Sequence, residues 1–138
     1  MNAEQKPAIK EINKYLSAQE EALKICEKYY LKSKAIRYGE YPPYVNNLAK
    51  KVERTALEGV KTHKNYINNL QEMISEVKSN SDSLIELTSS QFEEIEYIVE
   101  NTFKIRDNIL EKVKPVHLQL KNIETFRNYI ESQTISIN

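Results

Sequence analysis

Apolar positions in the first third of the chain recur at alternating steps of three and four: Ile9, Ile12, Leu16, Leu23, Cys26 and Tyr30, with Gln19 in the one polar slot. Such a narrow a/d stripe belongs to a helix packed in a bundle or coiled coil. It predicts a first helix from about residue 5 to Tyr38, stopped by Gly39, the residue most easily placed in a left-handed conformation after a helix end. Glu40-Tyr41-Pro42-Pro43 follows. Residues before a proline favour extended conformations, and Pro43 suits the first turn of a new helix.

A second stripe runs through Val45, Ala49, Val52, Ala56, Val60, His63, Ile67, Leu70, Ile74 and Val77. It predicts a helix from Pro43 to about Ser79, with one extra step of four near Ala56–Val60 that relaxes the supercoil. Gly59 lies inside it, at a propensity cost of about 1 kcal/mol relative to alanine. Either a close helix contact or simple tolerance accounts for that glycine. The polar run Lys78–Ser83 predicts the second reversal.

Both Ser83-Leu84-Ile85-Glu86 and Ser90-Gln91-Phe92-Glu93 have the form of a capping box. The third helix is expected from Ser83, with Phe92, Ile95, Val99, Thr102, Ile109 and Val113 on its seam and Ile98 and Ile105 widening it. Pro115 then removes a backbone hydrogen bond and crowds the preceding turn. Val116, Leu120, Ile123, Phe126 and Ile130 resume at helical spacing beyond it.

The chain therefore reads as all-α: a single domain spanning 1–138, an antiparallel up-down bundle of three long helices, each roughly 50 Å, plus a shorter fourth helix after Pro115 that folds back. The alternative is a three-helix bundle whose kinked third helix dimerises through 116–133. Two glycines and four prolines in 138 residues leave too few turn formers for a sandwich or barrel. The pentamer Tyr44-Val45-Asn46-Asn47-Leu48 echoes in Tyr66-Ile67-Asn68-Asn69-Leu70, but one echo makes no repeat architecture.

Charge adds an asymmetry. The chain is formally neutral, yet residues 1–69 carry 13 Lys/Arg against 8 Asp/Glu, and residues 70–138 carry 7 against 12. Basic and acidic helices packed side by side account for this. Nucleic acid is not the expected partner, because its binders usually carry a clear net positive charge. The N-terminus lacks the apolar core of a cleaved signal peptide, and no run approaches 18 apolar residues, so no membrane span is expected. One cysteine cannot make an internal disulfide, which fits a cytoplasmic setting. Export by a route without a cleaved signal is the alternative.

Candidate chemistry is sparse. Neither His63 nor His117 has a glutamate three residues before it, as a di-iron bundle needs, and three Cys/His ligands fall short of a structural zinc site. Cys26 sits on the first seam, where a cysteine behaves as a small hydrophobe. Gly39 and Gly59 stand alone, not in a phosphate loop. No catalytic residue, no metal and no cofactor is expected.

Six residues around the first reversal are the candidate partner-binding site: Tyr29, Tyr30, Arg37, Tyr38, Tyr41 and Tyr44. Tyrosine and arginine dominate interaction hot spots, though rings at this place would also cap the bundle end. The composition, rich in Ile, Lys, Asn and Glu, is similar to that of small bacterial or phage adaptors, export chaperones and secretion partners, and carries no site residues with it. The expected function is a non-catalytic helical protein–protein interaction module that binds another protein. The alternatives are an inhibitor or immunity-type protein that neutralises an enzyme or toxin, and an enzyme or ligand-binding bundle with an interior Tyr/Glu/Lys site.

Overall fold

The computed structural model describes residues 7–79 and 87–137, and the described residues form three helices: α1, Pro7–Arg37, α2, Pro43–Ser79, and α3, Ser89–Ile137. α2 has the predicted bounds. The backbone leaves α1 through Tyr38 N donating to Lys34 O (3.1 Å) and Gly39 N donating to Ile36 O (3.1 Å). Gly39 is not left-handed as expected. Its hydrogen is needed for space, because a Cβ there would stand 3.1 Å from the Tyr41 ring and 3.2 Å from Ala35 O. α2 then starts with the amides of Val45 and Asn46 donating to Pro42 O.

The start of α3 differs from expectation. The box at Ser83–Glu86 lies outside the described residues, but Leu87 and Thr88 are not helical, and α3 begins at Ser89. The cap is neither of the two boxes predicted. Thr88 N donates to Gln91 Oε1 (2.9 Å), and Gln91 N donates to Thr88 Oγ1 (3.2 Å). That reciprocal pair satisfies two donors in the manner of a capping box, read from Thr88-Ser89-Ser90-Gln91.

No fold-back follows Pro115, and the expected shorter fourth helix is absent among the described residues: Pro115 lies inside α3. The physical reason is where the costs fall. Pro115 and Glu111 are both exposed, so the carbonyl that loses its amide partner can bind water. Meanwhile Val116 stays buried in phase with Ile109, held against the bundle. A reversal would forfeit that burial.

α1 and α2 are the tightest pair, and α3 leans on α2 with little direct contact to α1. Two core clusters lie along the bundle. The first joins Ile9 and Ile12 of α1, Leu70, Met73 and Val77 of α2, and Ile95 and Ile98 of α3, with Leu87 closing the end. The second joins Cys26, Ala56, Val60 and Ile109, with Leu23, Tyr29, Tyr30, Ile105 and Val113 partly buried around it. Gly59 sits at the second cluster for a steric reason, since a Cβ would come within 2.8 Å of Cys26 Sγ and 3.1 Å of Ile105 Cγ2. The close-contact account of that glycine is the correct one.

Between the clusters runs a polar layer with one residue from each helix, Gln19 and His63 buried and Thr102 half-buried. His63 Nδ1 donates to Gln19 Oε1 (2.7 Å), Gln19 Nε2 donates to Thr102 Oγ1 (2.8 Å), and the Thr102 hydroxyl donates to Ile98 O (2.7 Å). The chain of donors runs one way and fixes the Nδ1–H tautomer of His63. Burial holds the imidazole below its ordinary pKa, so it is neutral.

α3 has 49 residues against 37 in α2, an excess of roughly 18 Å at 1.5 Å per residue. That excess emerges past the α1–α2 turn. Val116 is buried, Leu120 and Ile123 are half-buried, and residues 124–133 are exposed. The overhang is shorter than a helix starting at Ser83 would give.

Candidate interaction site

Because α1 and α3 both pack on α2 and scarcely on each other, a groove opens between them. Small residues on α2 set this geometry: Ala56 and Gly59 let the neighbouring helices approach α2 closely, leaving their own flanks apart. The groove has two contiguous hollows. One of about 260 Å³ is lined by Ala22, Ile25, Cys26 and Tyr29 of α1, His63 of α2, and Thr102, Ile105, Arg106, Ile109 and Leu110 of α3. The next, about 280 Å³, continues through Tyr29, Lys32, Ser33 and Ile36 to Val52, Val113, Val116, His117 and Leu120. The lining is mostly apolar, and Ile25 and Leu110 stand exposed at its rim by 50% and 39%. The residues with fixed charge along it, Lys32 and Arg106, are both cations. On α1 it extends from Ala22 to Ile36, about 21 Å of helix.

The groove floor carries the most nucleophilic atom of the chain, yet Cys26 is poorly set for chemistry. Its thiol is 3% exposed and is pushed up to about 11 by burial, with Glu27 adding to the rise. A reactive thiol needs the opposite environment, electropositive and accessible. His63 is engaged with Gln19 and neutral. The buried polar side chains among the described residues are Gln19, Ser33, Thr55, His63 and Gln91, and none bears a fixed charge.

The six residues singled out at the first reversal do not form one patch. Tyr29 and Tyr30 pack against the second core cluster, where Ser33 donates to the carbonyl of Tyr29 (2.7 Å). Arg37 donates to Glu53 Oε2 at 2.9 Å and lies over the Tyr38 ring at 5.0 Å. Tyr41 lies over Gly39 and is half-buried. Tyr38, at 70% exposed, and Tyr44 face solvent. Of the six, Tyr29 alone lines the groove.

Sequence reasoning missed Ile25, Arg106 and Leu110. The available signal was apolar residues off the seam: Ile25 immediately precedes the seam residue Cys26, and Leu110 immediately follows Ile109. Each widens its stripe on one flank.

Among the described residues, no helix is long and apolar enough to cross a membrane. Comparison of the chain with protein-family models, with curated proteins and with solved structures found no match.

Proposed function

We propose that the chain is a non-catalytic protein–protein interaction module that receives an amphipathic helix of a partner protein in the α1–α3 groove. The observation that carries this reading is the open apolar slot itself, about 21 Å long on α1, between two helices that share a third. Helix-in-groove recognition needs a hydrophobic trough for an i, i+3, i+4, i+7 stripe. Lys32 and Arg106 at its edges favour a partner helix with acidic flanks. The absence of fixed charge from the described core favours this over an interior Tyr/Glu/Lys site. Such a trough suits an adaptor, an export chaperone or a secretion partner, and equally an inhibitor that seats a segment of its target.

The test is a photo-crosslinking amino acid at position 25 in the native cell, followed by binding of the captured protein in purified form. The expected partner presents an acidic amphipathic helix, binds the intact chain, and loses at least about tenfold in affinity to Leu110→Glu. Leu31→Glu, an exposed position outside the groove, should bind as the unaltered chain does. Equal binding by Leu110→Glu would refute the groove.

A further inference from the structure

We propose that the hollow floored by His63 is the anchor subsite of the groove, and that it takes a tyrosine of the partner helix whose hydroxyl donates to His63 Nε2. The inference rests on the groove being the binding surface, and it adds which side chain the partner must bring.

The observation that carries it is an acceptor without a donor. His63 is 1% exposed, and its Nδ1 hydrogen is committed to Gln19 Oε1. In that tautomer Nε2 holds a lone pair and no hydrogen, so it can only accept. No hydrogen bond from the described residues reaches it. Tyr66, which packs edge-on against the ring, has its hydroxyl at Asn101 Nδ2 (2.8 Å) and does not supply one. Among the described residues the fully enclosed polar side-chain atom without a partner is Asn46 Oδ1, so Nε2 is not sealed away. It opens where the ring lines the hollow, between Cys26 of α1 and Ile105 and Ile109 of α3.

Size and shape select the occupant. An apolar cavity of about 150 Å³ already admits benzene, and pockets for drug-sized ligands run from roughly 300 Å³ upwards. At about 260 Å³ the hollow suits one aromatic ring. It continues past Tyr29 into the second hollow, so the occupant of both is an extended segment and the ring is one of its side chains. A leucine or phenylalanine would expel solvent from Nε2 and leave the acceptor unpaired. A lysine or arginine would bring a charge among apolar walls whose lining offers no carboxylate. Serine has a donor but leaves the walls uncovered, and tryptophan carries its N–H on the flank of the ring. Tyrosine sets one donor at the far tip of an apolar ring, which matches an acceptor at the floor beneath apolar walls.

The subsite is tested on the unaltered chain with para-cresol, the tyrosine side chain as a free molecule, and with para-methylanisole and toluene, which lack the donor. The imidazole nitrogen NMR signals are followed at neutral pH. para-Cresol should move the His63 Nε2 signal upfield, as accepting a hydrogen bond does, and the other two should bind at least about tenfold more weakly. Equal binding of the three, no binding of para-cresol, or binding that leaves the His63 signal unmoved would each overturn the proposal. The source of the ring is tested with the partner captured at position 25. Saturating para-cresol should compete with it, and changing its tyrosine at the crosslink to phenylalanine should weaken binding about tenfold. Partner binding undiminished by para-cresol would put a free phenol in the subsite and overturn the tyrosine. A partner helix with no tyrosine there, yet losing affinity to Leu110→Glu, would also overturn it and leave the interaction-module reading standing.

Discussion

The core near the start of α1 and the core near its end are made by the same three helices from different material. The first is filled by large aliphatics at or near full burial: Ile9, Ile12, Leu70 and Ile98 are each 1% exposed or less. The second is held by Cys26, Ala56, Gly59 and Val60, small groups that draw the backbones together while the α1–α3 flank stays open. The burial of large side chains gives the most stability per residue, and close backbone approach gives shape. The division puts the core of large side chains at one end and the open groove at the other, with the Gln19–His63–Thr102 layer as the border.

Cutting one side chain from each half is the strongest test of that division. Leu70→Ala should cost about 2–5 kcal/mol in denaturant unfolding, and Val60→Ala only about 1–2 kcal/mol. Equal costs would mean the second half is a full core and the groove incidental.

Gly59→Ala probes the close approach. A Cβ would press on Cys26 Sγ, so the variant should lose about 1–3 kcal/mol, partly offset by the roughly 1 kcal/mol helix preference of alanine. Combined with Cys26→Ala the same change should become nearly neutral. Additive losses would place the strain elsewhere.

Acid should act on the border. The His63 pKa lies below its ordinary 6.5 in the folded chain, so between 6.5 and the folded value the unfolded state binds a proton that the folded state refuses. Stability contributed by His63 is complete above about pH 6.5 and declines as pH falls towards the folded value, where the decline levels off. Urea midpoints from pH 7.5 to about 5.5 should show this slope, and His63→Gln should flatten it. An unaltered slope in that variant would move the effect to other groups.

The smallest effect is expected outside both halves. Ending the chain after Ile123 removes residues 124–133, all exposed, with the end of the chain, so unfolding should shift by no more than about 0.5 kcal/mol. A larger loss would make the end of α3 part of the core.

Much of this was legible in the sequence. Gln19, His63 and Thr102 all fell on the predicted seams, and the Pro43 start of α2 followed from its ring geometry. Their convergence into one hydrogen-bonded layer was not legible, because spacing gives the face of a residue and not its level against another helix. The start of α3 was misplaced because Thr88 and Gln91 make a box that lies between two equally good-looking ones, five residues after the first and two before the second. Pro115 read as a break because a proline's cost depends on whether its orphaned carbonyl meets water, and that is a tertiary fact. The tyrosine cluster divided for a similar reason: proximity in sequence put rings together that the helix surface sends in different directions, Tyr30 to the core and Tyr38 to solvent. The groove depended on how closely α2 lets its neighbours approach.

The polar layer bears on which assembly forms as well as on how firmly it holds. Heptad seams look nearly alike to one another, so an all-aliphatic bundle can shift one helix along its neighbour by a turn at little loss. Here a one-turn shift of α1 would place Leu16 or Leu23 at the level of His63 and strand the Gln19 amide among aliphatic groups. An imidazole and an amide would then be buried without partners, at roughly 1–3 kcal/mol each. The misaligned packings are raised in energy while the aligned one is left where it was, so the gap between the right structure and its nearest competitors is set by three side chains near the middle of the bundle.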